Sequence, residues 1–260
     1  MKLGFIGTGA ISDAVIRGLL TSDYPVTEVI VSRRSAQISE TLAADFDNVR
    51  VEDGNQAIID QADMIFLAVL PQLSEEILSK LQVPDDKKLV SLIATIPISD
   101  LKTWLKTNAQ MDRAIPLPPV EHHRCVTAVY PGSSDVMALF EKLGGAVAAE
   151  TIDAFDGYAT GSALMATYFT ILDQSAKWMV AHGTDEGDAR RYLAALFSGL
   201  AENTDKSPDQ SFADLYKGQI TAGGLNEQVA QTFLREKGGT AIHTALDEVF
   251  ARIKAASKES

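Results

Sequence analysis

The sequence predicts an α/β chain: an N-terminal doubly wound parallel sheet followed by an all-helical C-terminal domain. Three observations predict it. Short apolar runs alternate with amphipathic stretches as far as Ile115. One run, Asp63-Met64-Ile65-Phe66-Leu67-Ala68-Val69, is apolar almost without interruption, as a central strand buried on both faces requires. From Ile152 onward the pattern is helical. Strand–helix alternation of the first kind builds a parallel sheet covered on both faces. The division falls between a domain of residues 1–152 and one of residues 153–260.

The elements follow in order. Lys2 to Gly7 is a short apolar strand, and Gly7-Thr8-Gly9-Ala10-Ile11-Ser12 continues it into a helical pattern carrying Ile11, Val15, Ile16, Leu19 and Leu20 on one side. Strand, G-x-G-x-x-small turn and helix form the first unit of a Rossmann-type dinucleotide-binding domain. The first glycine allows the tight turn, and the second lets the backbone approach a pyrophosphate. Ser12 stands at the third position and is small enough for the helix to pack on the strand. The helix N-terminus presents free N–H groups and its positive dipole end to phosphates.

Glu28 to Ser32 is the second strand. At its end an NAD site usually places an acid that accepts from the ribose 2′-hydroxyl. Ser32, Arg33 and Arg34 instead offer a hydroxyl and two guanidinium groups, suited to a 2′-phosphate. The expected cofactor is therefore NADP(H) in preference to NAD(H), with one of the two arginines a solvated turn residue.

Val49 to Val51 is a short strand and Asn55 to Gln61 a short helix. After the Asp63–Val69 strand, Pro71 breaks the chain and Ser74 to Leu81 is helical. Lys88 to Ile93 is a strand, Ser99 caps a helix over Asp100 to Lys106, and Arg113 to Ile115 is a strand stopped by Pro116. Ligands on such sheets bind beyond the carboxyl ends of the strands. That rule gathers Gly7–Ser12, Ser32–Arg34, Ala68–Pro71 and Ala94–Pro97 around one crevice. A loop leads to a strand at Cys125–Tyr130, a helix over Val136–Leu143 capped by Ser133-Ser134-Asp135, and a strand at Ala146–Thr151.

In the C-terminal half, Ser162 is the expected N-cap of a long helix, Ala163–Ala181, that His182-Gly183 ends. Thr184-Asp185-Glu186 caps the next helix, which reaches about Asn203. Gln210–Lys217, Leu225–Glu236 and Thr240–Lys254 are the remaining helices, with turns at Gly223-Gly224 and Gly238-Gly239. Met165, Tyr168, Phe169, Leu172, Trp178 and Met179 recur at helical spacing along the long helix and read as core or subunit interface.

Composition bounds the function. The chain is 46% hydrophobic and 22% charged, with a formal net charge of −12. That balance argues against nucleic acid and anionic membranes as partners, while Arg33 and Arg34 keep a phosphorylated cofactor available locally. The single cysteine, Cys125, fits a reducing cytosol, and no signal peptide is visible, so a cytoplasmic location is expected. The apolar stretch at Ala163–Ala181 holds Asp173, Gln174 and Lys177, which marks it as a buried helix and not a membrane span. His122 and His123 beside Cys125 supply at most three adjacent ligands with no second cluster, so no metal is expected and the segment reads as a solvated polar loop.

The order of motifs resembles the pyrroline-5-carboxylate reductase family over most of the chain. GFIGTGAI looks like the family's opening G-F-I-G-x-G-x-M, and Leu67 to Gln72 resembles L-A-V-K-P-Q. Cys125 to Pro131 is similar to G-M-T-A-L-Y-P, Ala159 to Tyr168 to S-G-S-G-P-A-Y, and Ile220 to Gly224 to T-S-P-G-G. The resemblance implies reduction of a cyclic imine by hydride from NAD(P)H. It implies cofactor contacts at Gly7, Thr8, Gly9, Ala10 and Ile11, at Ser32, Arg33 and Arg34, at Asn55, and at Ala68, Val69 and Leu70. For Asn55 the residues alone also allow a helix N-cap. The resemblance implies a substrate carboxylate held at Thr221, Gly223, Gly224 and Asn226, and helices that interlock subunits into a homodimer or a larger homo-oligomer.

Departures from the family pattern fall at Leu70, at Leu117-Pro118-Pro119, at Ala222 and at Asn226. They leave two alternatives open: a reductase of another imine or keto acid on the same scaffold, a deazaflavin-dependent enzyme included, and a nucleotide-binding paralogue without catalysis. No catalytic acid is identified, and a cyclic imine that arrives already protonated requires none.

Overall fold

The computed structural model describes residues 1–256. The chain divides into two compact units. One contains Met1–Thr160 together with the segment from Phe250; the other is Gly161–Val249.

The first unit is built on one eight-stranded sheet in the order β3-β2-β1-β4-β5-β6-β7-β8. The strands are β1 (Lys2–Ile6), β2 (Glu28–Ser32), β3 (Val49–Glu52), β4 (Met64–Leu67), β5 (Lys88–Ser91), β6 (Gln110–Ile115), β7 (Thr127–Tyr130) and β8 (Ala146–Ala148). Between them run α1 (Ala10–Thr21), α2 (Ala36–Asp45), α3 (Asn55–Gln61), α4 (Pro71–Leu78), α5 (Ile98–Leu105) and α6 (Ser134–Glu141). Alternate residues of each strand feed opposite faces. Leu3, Phe5, Val29, Val31, Met64 and Phe66 pack with α1 and α6 on one side. Ile6, Ile30, Ile65 and Leu67 pack with α3, α4 and α5 on the other. Phe5 and Phe66, paired in register across β1 and β4, stack with ring centroids 4.4 Å apart. The strand order turns back between β1 and β4, which is where a doubly wound sheet opens its crevice.

All pairings are parallel except β6 with β7, which run antiparallel. The eleven or so residues between them form no crossover helix, only a 3-10 turn at Pro118–His122. A connection of that length serves an antiparallel neighbour, since a parallel one needs a crossover of a dozen or more residues. Asp112 of β6 secures this corner: its carboxylate accepts from the Gly132 and Ser133 N–H groups at 2.9 and 2.8 Å and from the Ser133 hydroxyl at 2.6 Å.

Several boundaries differ from expectation. Pro71 begins α4, because proline at the first helical position forgoes only an N–H that has no partner there. Helix α5 starts at Ile98 after Pro97, so Ser99 lies inside its first turn and does not cap it. Helix α2 was not expected; only its Ser39 and Leu42 are buried, so its apolar stripe is too thin to show. His123 is no solvated loop residue: its Nε2 meets the Gly18 carbonyl oxygen at 2.8 Å, at the end of α1. Cys125 is buried next to it.

In the C-terminal region α7 (Ile152–Ser162), α8 (Leu164–Ala181), α9 (Glu186–Asp205), α10 (Phe212–Gln219), α11 (Leu225–Arg235) and α12 (Gly238–Ala256) follow one another. Ser162 does not cap the long helix. It ends α7, and Ala163 keeps helical dihedrals (φ −69°, ψ −9°), because no proline or left-handed glycine interrupts the chain there. Asp185 caps α9, accepting from the Gly187 and Asp188 N–H groups at 2.8 and 3.1 Å. His182 ends α8, stacked on Trp178 with centroids 4.0 Å apart. Gly238 opens α12 instead of separating it from α11.

Candidate functional site

The carboxyl ends of β1 to β4 bring the N-terminal candidates to one edge of the sheet. Gly7 and Gly9 differ in why they are glycine. Gly7 has φ +99°, and a Cβ there would lie 2.4 Å from the Ala68 carbonyl oxygen, so the fold itself demands glycine. Gly9 has φ −101° and ψ −173°, open to any residue, and a Cβ on it would meet no protein atom within 4 Å. Neither the backbone conformation nor the packing of the chain therefore requires glycine at this position, directly before α1. Thr8 is buried, while Ala10 is exposed and Ile11 half-buried in the first turn of α1. Ser12 donates to the Gly7 carbonyl oxygen at 2.7 Å, which locks the turn where the third glycine usually stands.

The residues at the end of β2 and just beyond it take unequal parts. Ser32 is buried, and its hydroxyl accepts from the Gly7 N–H at 3.0 Å, while Thr8 donates to the Ser32 carbonyl at 2.7 Å. The Ser32 hydroxyl therefore joins the ends of β1 and β2 and faces inward. Arg33 is ion-paired with Asp53 and, at 3.3 Å, with Glu40. Its guanidinium is held more firmly charged than an ordinary arginine, first by the hydrogen bond to Asp53. Arg34 is exposed and takes part in none of these pairs. The Glu76 carboxyl in α4 lies below its ordinary range, chiefly through Lys80 and to a lesser degree through Arg34.

Asn55 is the first residue of α3, and the cap position belongs to Gly54 without any side-chain cap bond. The helix-cap alternative for Asn55 does not hold. Ala68 donates from its backbone to the Ile6 carbonyl at 2.8 Å, extending the β1–β4 pairing by one step. Val69 is buried, and Leu70, at 61% exposure, stands in the open before α4.

The remaining candidates sit in the other compact unit, in the turn between α10 and α11 and, for Asn226, in the first turn of α11. Gly223 has φ +72°, and its N–H donates to Glu227 Oε2 at 2.7 Å. The Gly224 N–H donates to the Thr221 carbonyl at 2.7 Å, and Asn226 Nδ2 to the Gln219 carbonyl at 2.9 Å. Thr221 is exposed. The turn is preorganised at a helix N-terminus, with one in-chain carboxylate already seated in it.

Sequence reading overlooked Arg113 and Asp156. Both are buried to 1% exposure, Arg113 in β6 and Asp156 in α7. The signal was the pair Asp112-Arg113 in the interior of β6, between Met111 and Ala114. Among the described residues no group of three or more His, Cys, Asp or Glu is placed to hold a metal ion. No described helix is long and apolar enough to cross a membrane.

A family described as NADP oxidoreductase, coenzyme F420-dependent, matches residues 2–95, and one described as pyrroline-5-carboxylate reductase dimerisation matches residues 150–256. The pyrroline-5-carboxylate reductase of Vibrio alginolyticus is 24% identical over 268 residues, covering 99% of this chain and 98% of its own. The 1-pyrroline-5-carboxylate reductase of Streptococcus pyogenes superposes with a TM-score of 0.82 at 25% identity, covering 98% of each chain. That of Plasmodium falciparum, solved with NADP bound, shares the fold with a TM-score of 0.82 at 16% identity, again over 98% of each chain.

Proposed function

We propose that this chain, a divergent member of the pyrroline-5-carboxylate reductase family and an NAD(P)H-dependent oxidoreductase, reduces 1-pyrroline-5-carboxylate to proline with NADPH, in the cytoplasm. The observation that carries the reading is the open space over Gly9, at the turn-back of the sheet order and at the N-terminus of α1. It fits a pyrophosphate, whose charge the free N–H groups of the first helical turn offset.

When bound, NADPH supplies the hydride at C4 of its nicotinamide. The chain's own residues bind and orient. Gly9, Ala10 and Ile11 offer backbone to the phosphates, and Asn55, free of capping duty, is available to the adenosine end. Arg34 takes the 2′-phosphate, because Arg33 already answers two carboxylates. Thr221, Gly223, Gly224 and Asn226 receive the substrate carboxylate, which takes the place of Glu227 on the Gly223 N–H. The imine arrives protonated, so no side chain need supply that proton.

Arg34→Ala should weaken NADPH binding about tenfold, the loss of one charge-assisted contact, and leave NADH unchanged. Arg33→Ala should have the smaller effect. Equal loss of both nucleotides in Arg34→Ala, by fluorescence titration, would remove Arg34 from the 2′-phosphate.

One observation favours a second reading. Glu227 already fills the Gly223 N–H and Asn226 is tied to Gln219, so the turn suits an imine without a carboxylate. NADPH oxidation with 1-pyrroline-5-carboxylate, beside 1-pyrroline, separates the two. Turnover of the first compound supports the proposal, and turnover of the second alone supports the alternative. Failure to bind either NADPH or NADH would overturn both.

A further inference from the structure

Arg113 and Asp156 are charged and enclosed, and nothing in the nucleotide site described above uses them. The Arg113 guanidinium stands 4.0 Å from the Asp156 carboxylate and 4.6 Å from the centre of the Phe155 ring. Its Nη2 donates to the Ala94 carbonyl oxygen. On the far side of Asp156, Lys254 of α12 approaches to 3.0 Å and also pairs with Asp153. Two cations thus balance two carboxylates across β6, α7 and the end of α12.

Burial pushes the Arg113 guanidinium below its ordinary value, and the Asp156 charge works against that push. Enclosing such a pair costs several kcal/mol per ion and stabilises a fold poorly compared with apolar side chains of the same size. Its position offers another use. Arg113 is in register with Ser91, the last residue of β5, and Ala94 belongs to the segment beyond that strand. In a doubly wound sheet the two halves each receive one mononucleotide. With the adenosine half over β1 to β3, the Ala94 segment flanks the nicotinamide half.

We propose that Arg113 is a positioning residue: clamped by Asp156 and the face of Phe155, it fixes the Ala94 carbonyl and with it the nicotinamide side of the crevice. Lys254 completes the clamp, which gives the last turns of α12 a part in the site. This rests on the reading of the β1–β4 crevice as the nucleotide site.

The test compares two ligands on the full chain by calorimetry: NADPH, which spans both halves, and 2′,5′-ADP, which occupies only the adenosine half. Arg113→Met should weaken NADPH about tenfold, as the loss of one buried charge-assisted bond implies, and leave 2′,5′-ADP unchanged. Arg113→Lys should recover part of the loss, and Lys254→Met should shift NADPH in the same direction by less. Equal loss of both ligands, as a merely structural role predicts, would overturn the inference, as would no change in either. If Arg113→Met does not fold, Lys254→Met decides alone: an unchanged ratio of the two affinities overturns it. A native chain that binds neither ligand would overturn the crevice reading itself, and this inference with it.

Discussion

Gly9→Ala should fold as well as the native chain and lose its nucleotide. The added methyl meets no protein atom within 4 Å, and the backbone at φ −101° accepts alanine without strain. Removing a glycine also narrows the unfolded ensemble, so Tm should stay level or rise, by an amount equivalent to about 0.4–1 kcal/mol. The same methyl stands where a pyrophosphate must approach the backbone. Lengthening two or three N–H contacts to phosphate, each worth about 1.5–3 kcal/mol, should weaken NADPH binding about 100-fold or more.

Gly7→Ala should do the reverse. Its Cβ would be driven to 2.4 Å from the Ala68 carbonyl oxygen in a left-handed conformation, which costs on the order of 3 kcal/mol or more and should appear as lost stability first. Thermal melts and NADPH titrations on the two variants make the comparison. Native affinity in a folded Gly9→Ala variant would remove the pyrophosphate from this turn.

That contrast marks how far the residues spoke before the structure. The glycine turn was legible because strand, turn and helix each carry their own local signature, and because Gly7-Thr8-Gly9 sits between two of them. The burial of β4 was legible from its unbroken apolar run. The inward engagement of Ser32 was not. Whether the hydroxyl that ends β2 faces a ligand or the Gly7 N–H depends on how β1 and β2 end in space, and no spacing encodes that. Nor could the sequence tell Arg33 from Arg34, since the distinction lies in Asp53 and Glu40, nearby only after folding. The antiparallel β7 follows from the short connection between Pro116 and Val126, which holds a 3-10 turn and no crossover helix. Arg113 stayed hidden because a charge in a strand reads as an edge residue until burial shows otherwise, and Asp156 because an acid in a helix reads as part of its solvated face.

The second large effect concerns the helical unit, Gly161–Val249. Its only buried apolar residues are Ala189 and Leu193, and neither α8, α10 nor α11 buries a single side chain. Phe169, Trp178, Tyr192, Phe212, Leu225 and Val229 are each more than 60% exposed. Helices so placed cannot offset their own conformational entropy from within the unit. The match of residues 150–256 to the reductase dimerisation family supplies the missing surface: a second copy of the chain. The native protein should therefore run as a dimer or larger, with a Tm that rises with protein concentration.

Phe169→Asp should break that assembly. Tyr168 and Phe169 meet edge-on with centroids 5.1 Å apart, and Tyr168 meets Phe197 at 5.8 Å, so the aspartate would stand at the exposed edge of an aromatic cluster. An unpaired carboxylate in an apolar interface costs several kcal/mol and is incurred once per subunit in a symmetric contact. The expected result by light scattering is a monomer at micromolar concentration. Because the exposed helices then lack a partner, helical circular dichroism should fall as well, while the nucleotide affinity of the sheet-bearing unit survives. A Phe169→Asp variant with native mass and native melting would place the subunit contact elsewhere, and a monomeric native chain would leave the apolar faces of α8 to α11 without an account.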